Sequence, residues 1–193
     1  MAADASDSLA VLPIVEAARA ERPSSLEEEV VALFDRHRGP LLRYLYSFQI
    51  TVPDAEEIIQ EVFLSLFRHL RESKSRANLH GWIFKVAHNL ALRNRVRGRR
   101  HSERFTYMPA VSAIAADPAP GPEEALAARQ RRERLLAVVR ALPEQDQFCL
   151  SLRAEGLRYR EIAEVLGISL GSVANSIEKS MGRLMRSEGN SNV

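Results

Sequence analysis

The 193-residue chain predicts an all-α fold: two small helical domains joined by a flexible linker, the second containing a helix-turn-helix. Three observations carry this. Apolar residues recur at helical spacing in segment after segment, and no stretch shows the alternation of a strand. The proline-rich run VSAIAADPAPGP, with prolines at 118, 120 and 122, divides the chain. Near the end, Leu157 to Arg186 holds Ile162, Ala163 and Leu166 on one short face, then Gly167 where a left-handed turn is wanted. Ser169 follows as a natural N-cap, and Val173 and Ile177 give a second helix an i, i+4 apolar pair facing the first. That spacing suits a DNA-reading pair of helices and also an ordinary helical hairpin, so the rest of the chain must decide.

In chain order, Met1 to Pro23 is Ala-rich and weakly patterned, a mobile extension (residues 1–24) with a short helix expected near Ile14 to Arg19. Ser25 and Glu28 form a capping box, and the stripe Val30, Val31, Phe34, Leu41, Leu42, Leu45 runs on to Phe48, with Gly39 and Pro40 expected to kink or restart the helix. Pro53 and Asp54 suit the first turn of a second helix, whose Ile58, Ile59, Val62, Phe63, Leu66, Phe67 and Leu70 share one face. Its other face carries Glu56, Glu57, Gln60 and Glu61, which either complement the helix dipole or dock a basic partner. After the polar loop Glu72 to Asn78, a third helix buries Trp82, Ile83, Val86, Ala87 and Leu90. Opposite that stripe stand Lys85, His88, Asn89, Arg93, Asn94, Arg95, Arg97, Arg99, Arg100 and Arg104, with Glu103 the only acid among them. Such single-signed charge is a phosphate-binding surface rather than a solvated face. His88 has no second ligand at metal spacing and reads as a polar surface contact.

Helix resumes from Glu123 to Leu142 with Leu126, Leu135, Leu136, Val138, Val139 and Leu142. Pro143 then opens another helix ending at Gly156, so the second domain is a four-helix unit with a polar tail. The domain boundaries are thus 25–104, a linker 105–122, and 123–193. The single cysteine, Cys149, lies among Phe148, Leu150 and Leu152 and reads as a buried thiol; it excludes an internal disulfide and a cysteine-rich zinc site. No apolar run approaches the roughly 20 residues that cross a bilayer, which predicts a cytoplasmic protein without membrane insertion. No paired carboxylates stand at metal spacing near the basic helix, so no enzyme, metal or cofactor is expected.

Two blocks in order, DAEEIIQEVFLSLFRHL with GWIFKVAHNLALRNRVRGRR, then ALPEQDQFCLSLRAEGLRYREIAEVLGISLGSV, resemble the extracytoplasmic-function sigma factors of bacterial RNA polymerase over nearly the whole chain. The resemblance implies region 2 in the first domain and region 4 in the second. Asp54, Glu56, Glu57, Gln60 and Glu61 would bind the basic clamp of the polymerase largest subunit. Lys85, His88, Asn89, Arg93, Asn94 and Arg97 would face the minus-ten element as it melts, with a flipped base held beside the loop Lys74 to His80. The linker would thread through the polymerase, and Arg158, Ser172, Asn175, Ser176, Lys179 and Arg183 would meet the minus-thirty-five element while the domain touches the second-largest subunit. Promoter DNA, core polymerase and an anti-sigma factor are the implied partners.

One departure stands out: where family recognition helices commonly carry Lys or Arg after the position of Val173, this chain has Ala174, Asn175, Ser176 and Glu178. Each missing phosphate contact lowers the logarithmic salt slope by about 0.9. A stand-alone helix-turn-helix regulator, binding an operator without polymerase, is the alternative reading.

Overall fold

The computed structural model describes residues 25–98 and 122–189. The expectations for the extension, and for the linker up to residue 121, lie outside the described residues. All regular structure among those described is helical: α1 (Ser25–Tyr46), α2 (Val52–Arg71), α3 (Leu79–Gly98), α4 (Pro122–Arg140), α5 (Glu144–Ala154), α6 (Tyr159–Leu166) and α7 (Leu170–Gly189).

The first three helices form one unit. α1 runs through Gly39 and Pro40 as a single helix rather than restarting there. A proline inside a helix costs about 3 kcal/mol, but His37, Leu41, Tyr44 and Leu45 on either side of it are buried, and each large apolar side chain so placed returns about 1.5–3 kcal/mol. α2 is capped by Thr51, whose hydroxyl donates to Asp54 Oδ2 at 2.7 Å and accepts from the Asp54 amide at 3.4 Å. Its buried face is Ala55, Ile58, Ile59, Val62, Phe63, Leu66 and Leu70, with Phe63 edge-on to Phe34 of α1 at 5.0 Å. α3 begins where Asn78 Oδ1 accepts from the Gly81 amide at 3.0 Å; a Cβ on Gly81 would lie 2.5 Å from that capping side chain.

α3 is buried over a wider arc than its expected stripe. Besides Ile83, Ala87 and Leu90, the core takes Phe84, His88 and Ala91, together roughly 160° of the circumference at 100° per residue. Trp82 and Val86, placed in the stripe by sequence, are half-buried. On this added flank Phe84 and His88 meet Tyr44 of α1, and His88 also meets Phe148 of α5 in the second unit.

That second unit is the expected four-helix arrangement. Gln147 Nε2 donates to the Leu142 carbonyl at 2.8 Å and so closes the end of α4. Pro143 stands at the N-cap of α5 rather than inside it. α5 buries Phe148, Cys149 and Leu152, and burial pushes the Cys149 thiol up, as suits a core residue. α6 ends at Gly167, whose φ of 66° is left-handed, and Ser169 Oγ accepts from the Ser172 amide at 3.0 Å to start α7.

The two units are packed together into one continuous core. Phe148 of α5 stacks on Phe48 at 4.3 Å and stands edge-on to His88 at 5.5 Å. His88 Nδ1 is hydrogen-bonded to the Tyr44 hydroxyl at 2.8 Å. Around this cluster, Arg43 donates to both carboxylate oxygens of Glu155 at 2.9 and 2.7 Å, and Arg95 pairs with Glu144.

His88 is thus a core residue, not the surface contact its neighbours in sequence suggested. Burial lowers its pKa from 6.5 to about 4, so the folded protein binds fewer protons than the unfolded chain between those values. Stability contributed by neutral His88 is complete above pH 6.5 and is lost as pH falls through about 4, by up to about 3 kcal/mol. Thermal melts should fall steeply from pH 7 to pH 4.5, and His88→Gln should flatten that slope, leaving the smaller part due to His37, which burial also lowers. At the turn between α6 and α7, Ser169→Ala and Gly167→Ala should each cost about 1 kcal/mol and lower the melting midpoint measured by circular dichroism.

Candidate nucleic-acid and polymerase interface

Helical geometry separates the residues of α3 cleanly. With Phe84, His88 and Ala91 turned inward, Lys85, Asn89, Leu92, Arg93 and Val96 fall on the opposite arc, and all five are exposed. The outward row is therefore mixed: two cations and an amide interleaved with two aliphatic side chains that a charge-based reading passes over. Arg95 lies in the buried arc and is held by Glu144. Asn94 is half-buried, and the side chain of Arg97, like Arg99, Arg100 and Arg104, lies outside the described residues.

The acidic residues of α2 divide in the same way. Asp54 is occupied by its hydrogen bond from Thr51, and Glu56 pairs with Arg38 of α1. Both explain themselves as structural. Glu57, Gln60 and Glu61 are exposed, in line with Leu64, which is 58% exposed. A groove brings the acidic and basic rows together: Glu57 and Glu61 on one wall, Arg93 and Asn94 on the other, with Ile58 and Leu90 between them. They are two edges of one surface.

The loop before α3 is tied down along its length. Lys74 pairs with Glu72 at 2.6 Å, and Arg76 donates to both oxygens of Glu29 at 3.3 and 3.2 Å. His69 Nε2 donates to the Ser75 carbonyl at 2.9 Å, while the His69 ring lies 4.7 Å from that of Trp82. His80 Nδ1 meets His37 Nε2 at 3.0 Å.

On the helix-turn-helix, Asn175, Lys179 and Arg183 are exposed at i, i+4 and i+8, a row along α7. Ser176 is not part of it. It is 4% exposed, hydrogen-bonded to the Cys149 thiol, and its carbonyl accepts from Ser180 Oγ at 2.7 Å. Val173, Ser176, Ile177 and Ser180 form the inward stripe, and the two serines keep α7 close to α5. Extending the Val173 and Ile177 pair by helical spacing would have found this. Ser172 is half-buried with its hydroxyl 2.8 Å from that of Ser169, so it serves the cap. Arg158 is exposed at the N-cap of α6, where its amide donates to Glu161 Oε2 at 2.7 Å. Arg160, exposed beside it on α6, is a further cation that the sequence reading missed.

Residues 33–101 match the model described as Sigma-70 region 2, and residues 132–184 match Sigma-70, region 4. The chain is 28% identical over 158 residues to the ECF RNA polymerase sigma factor SigE of Mycolicibacterium smegmatis, covering 79% of this chain and spanning 58% of that relative. It is 26% identical over 167 residues to the RNA polymerase sigma-H factor of Pseudomonas aeruginosa, covering 82% and 84% of the two chains. The fold is similar to that of the sigma factor RpoE of Bartonella quintana, crystallised with the anti-sigma factor NepR: TM-score 0.58, 16% identity, 84% of this chain and 95% of that one. With Sigma-70 region 2 on α1–α3 and region 4 on α4–α7, and with relatives of that type over most of its length, the chain belongs to the extracytoplasmic-function sigma factors.

Proposed function

We propose that the chain directs core RNA polymerase to specific promoters and helps to open them, acting as a binding protein without a reaction, metal or cofactor of its own. The observation that carries this is Arg93 and Asn94 lying across a groove from Glu57 and Glu61, with Lys85 and Asn89 exposed on the same helix, in a chain whose helix-turn-helix exposes Asn175, Lys179 and Arg183. Glu57, Gln60 and Glu61 dock the clamp of the largest subunit, with Leu64 adding apolar contact. Asp54 and Glu56 support that face from within. Lys85, Asn89, Arg93 and Asn94, with Arg97 beyond them, hold the minus-ten strand, where Leu92 and Val96 offer apolar surface to unstacked bases. The tied-down loop from Lys74 to His80, beside Trp82, is where an extruded base is trapped. Arg158, Asn175, Lys179 and Arg183 meet the minus-thirty-five duplex; His88 and Ser176 take no part.

An anti-sigma factor is proposed as a partner because the Bartonella sigma factor of similar fold was crystallised with one. No helix among the described residues is long and apolar enough to cross a membrane, which fits action in the cytoplasm. Domains spanning 25–104 and 123–193 with the intervening segment as a tether complete the proposal.

Reconstitution with core polymerase tests it directly. Glu57→Lys with Glu61→Lys should weaken core binding at least tenfold in a fluorescence titration, with unchanged circular dichroism since both side chains are exposed; unchanged affinity would remove the docking role. Lys85→Ala with Arg93→Ala should lower permanganate reactivity at the opened promoter and reduce the logarithmic salt slope of holoenzyme binding by about 1–2. If the free chain shifts promoter DNA as strongly as holoenzyme does, it is a stand-alone regulator instead.

A further inference from the structure

The segment that leads into α3 is fastened to α1 at two points. Glu29, Leu33 and His37 stand at i, i+4 and i+8 on α1, and the first and last of them hold Arg76 and His80. Between these fastenings Asn78 takes a left-handed φ of 55° and caps Gly81, at which a Cβ would lie 2.5 Å from the Asn78 side chain. The path of the segment is therefore narrow. Arg76–Glu29 is an exposed ion pair and holds loosely, whereas His37 is 4% exposed and its bond to His80 is directional. Phe84 stands edge-on to the His80 ring at 5.1 Å and backs it from α3.

One carbonyl decides how the two imidazoles meet. His37 Nδ1 lies 2.9 Å from the Leu33 oxygen, which can only accept, so Nδ1 carries the proton and Nε2 of the neutral ring is a bare lone pair. His80 Nδ1, 3.0 Å away, is then the donor. An added proton on His37 would set two N–H groups face to face without an acceptor, and the bridge would part. A proton added to His80 Nε2 instead leaves the bridge intact. The charged groups facing His37 are Arg36 from α1 and His80 from α3, and no carboxylate among the described residues acts on it. Burial, and after it those two neighbours, keep the His37 pKa below its ordinary 6.5, although the Leu33 carbonyl works the other way. The bridge is thus complete above pH 6.5 and is lost as pH falls through the lower folded-state value.

We propose that His37 and His80 are positioning residues for promoter opening: by sharing one proton they hold the Arg76–His80 segment against α1 in the shape that receives an extruded base, and acid releases it. This inference rests on the promoter-specificity reading above. Core docking through Glu57 and Glu61 and duplex contact through α7 use neither imidazole, so the acid effect falls on opening.

Substitution at His80, which is half-buried, tests this with the fold intact. Holoenzymes of wild type, His80→Ala and His80→Gln are compared between about pH 7.5 and 5.5, by core titration and by permanganate reactivity of a promoter duplex that the wild-type holoenzyme selects from random-sequence DNA. At the higher pH, His80→Ala is expected to open about three- to tenfold less DNA with core affinity unchanged. His80→Gln opens as wild type does, because its amide can donate to the bare Nε2 or turn its oxygen toward a protonated one. As pH falls, wild-type opening drops relative to His80→Gln, a ratio in which the polymerase's own response to pH cancels. Normal opening by His80→Ala overturns the positioning role, equal losses in the two variants overturn the hydrogen bond, and a constant ratio of wild type to His80→Gln overturns the acid release. Imidazole nitrogen-15 spectra of the free chain report the bridge separately: His37 protonated on Nδ1 alone is expected at the higher pH, and any other state removes the bridge. If wild type binds no core polymerase, the promoter-specificity reading fails and the positioning role with it, while those spectra still judge the bridge.

Discussion

The hydrogen bond between Tyr44 and His88 is the constraint on which the other features depend. Both groups are buried, and both are held neutral by burial: the tyrosine pKa is pushed well above 10.0 and the histidine lowered to about 4. A neutral imidazole and a neutral phenol satisfy each other across α1 and α3, and losing either would leave a buried polar atom without a partner, a loss of roughly 1–3 kcal/mol. Because His88 is fixed inward, the helical repeat places Lys85, Asn89 and Arg93 outward. The face proposed to hold DNA is set by a residue that cannot touch DNA. The same ring offers the edge against which Phe148 packs, so one buried pair orients the basic row and forms the seat for the second unit.

That coupling explains which parts were legible in the sequence. Periodicity located the helices because each has a stripe facing its own unit, and Gly167 and Ser169 announced the turn because few other residues serve a left-handed C-terminus and an N-cap. The part of α3 that packs within its own unit, Ile83, Ala87 and Leu90, was equally legible. His88 was not, since the flank it forms is completed by Phe148, more than fifty positions away. No local pattern announces contact between units expected to be separate. Pro40 misled for a related reason: a local penalty predicted a break, and burial on both sides of it outweighed that penalty.

Polar residues divided along a second line. A charged side chain in a run is read from sequence by its sign, but its availability depends on its neighbours in space. Glu56 and Arg95 have the right sign and are taken by Arg38 and Glu144, and Asp54 is taken by the cap of its own helix. Glu57, Glu61, Lys85 and Arg93 have the right sign and are exposed. Ser176 shows the converse error, a small polar residue placed on a recognition surface by analogy when the Val173 and Ile177 stripe already required it inside. The residues that survive both filters are fewer than the sequence offered, yet Glu57, Glu61 and Arg93 lie along two edges of one groove.

The exposed row of α7 bears on how such a protein achieves specificity. Its first turn presents Leu170 and Gly171, uncharged, and Asn175, Lys179 and Arg183 follow over two further turns. Fewer cations near the helix start mean fewer released counterions and a weaker intrinsic grip on duplex. Two weak contacts become strong when a scaffold holds them at the span of their sites, and they lose that advantage when the geometry forbids simultaneous engagement. On the proposed function, a chain whose recognition surfaces are individually modest has little affinity for stray DNA until a scaffold positions them, which places discrimination in the assembled complex rather than in the free subunit.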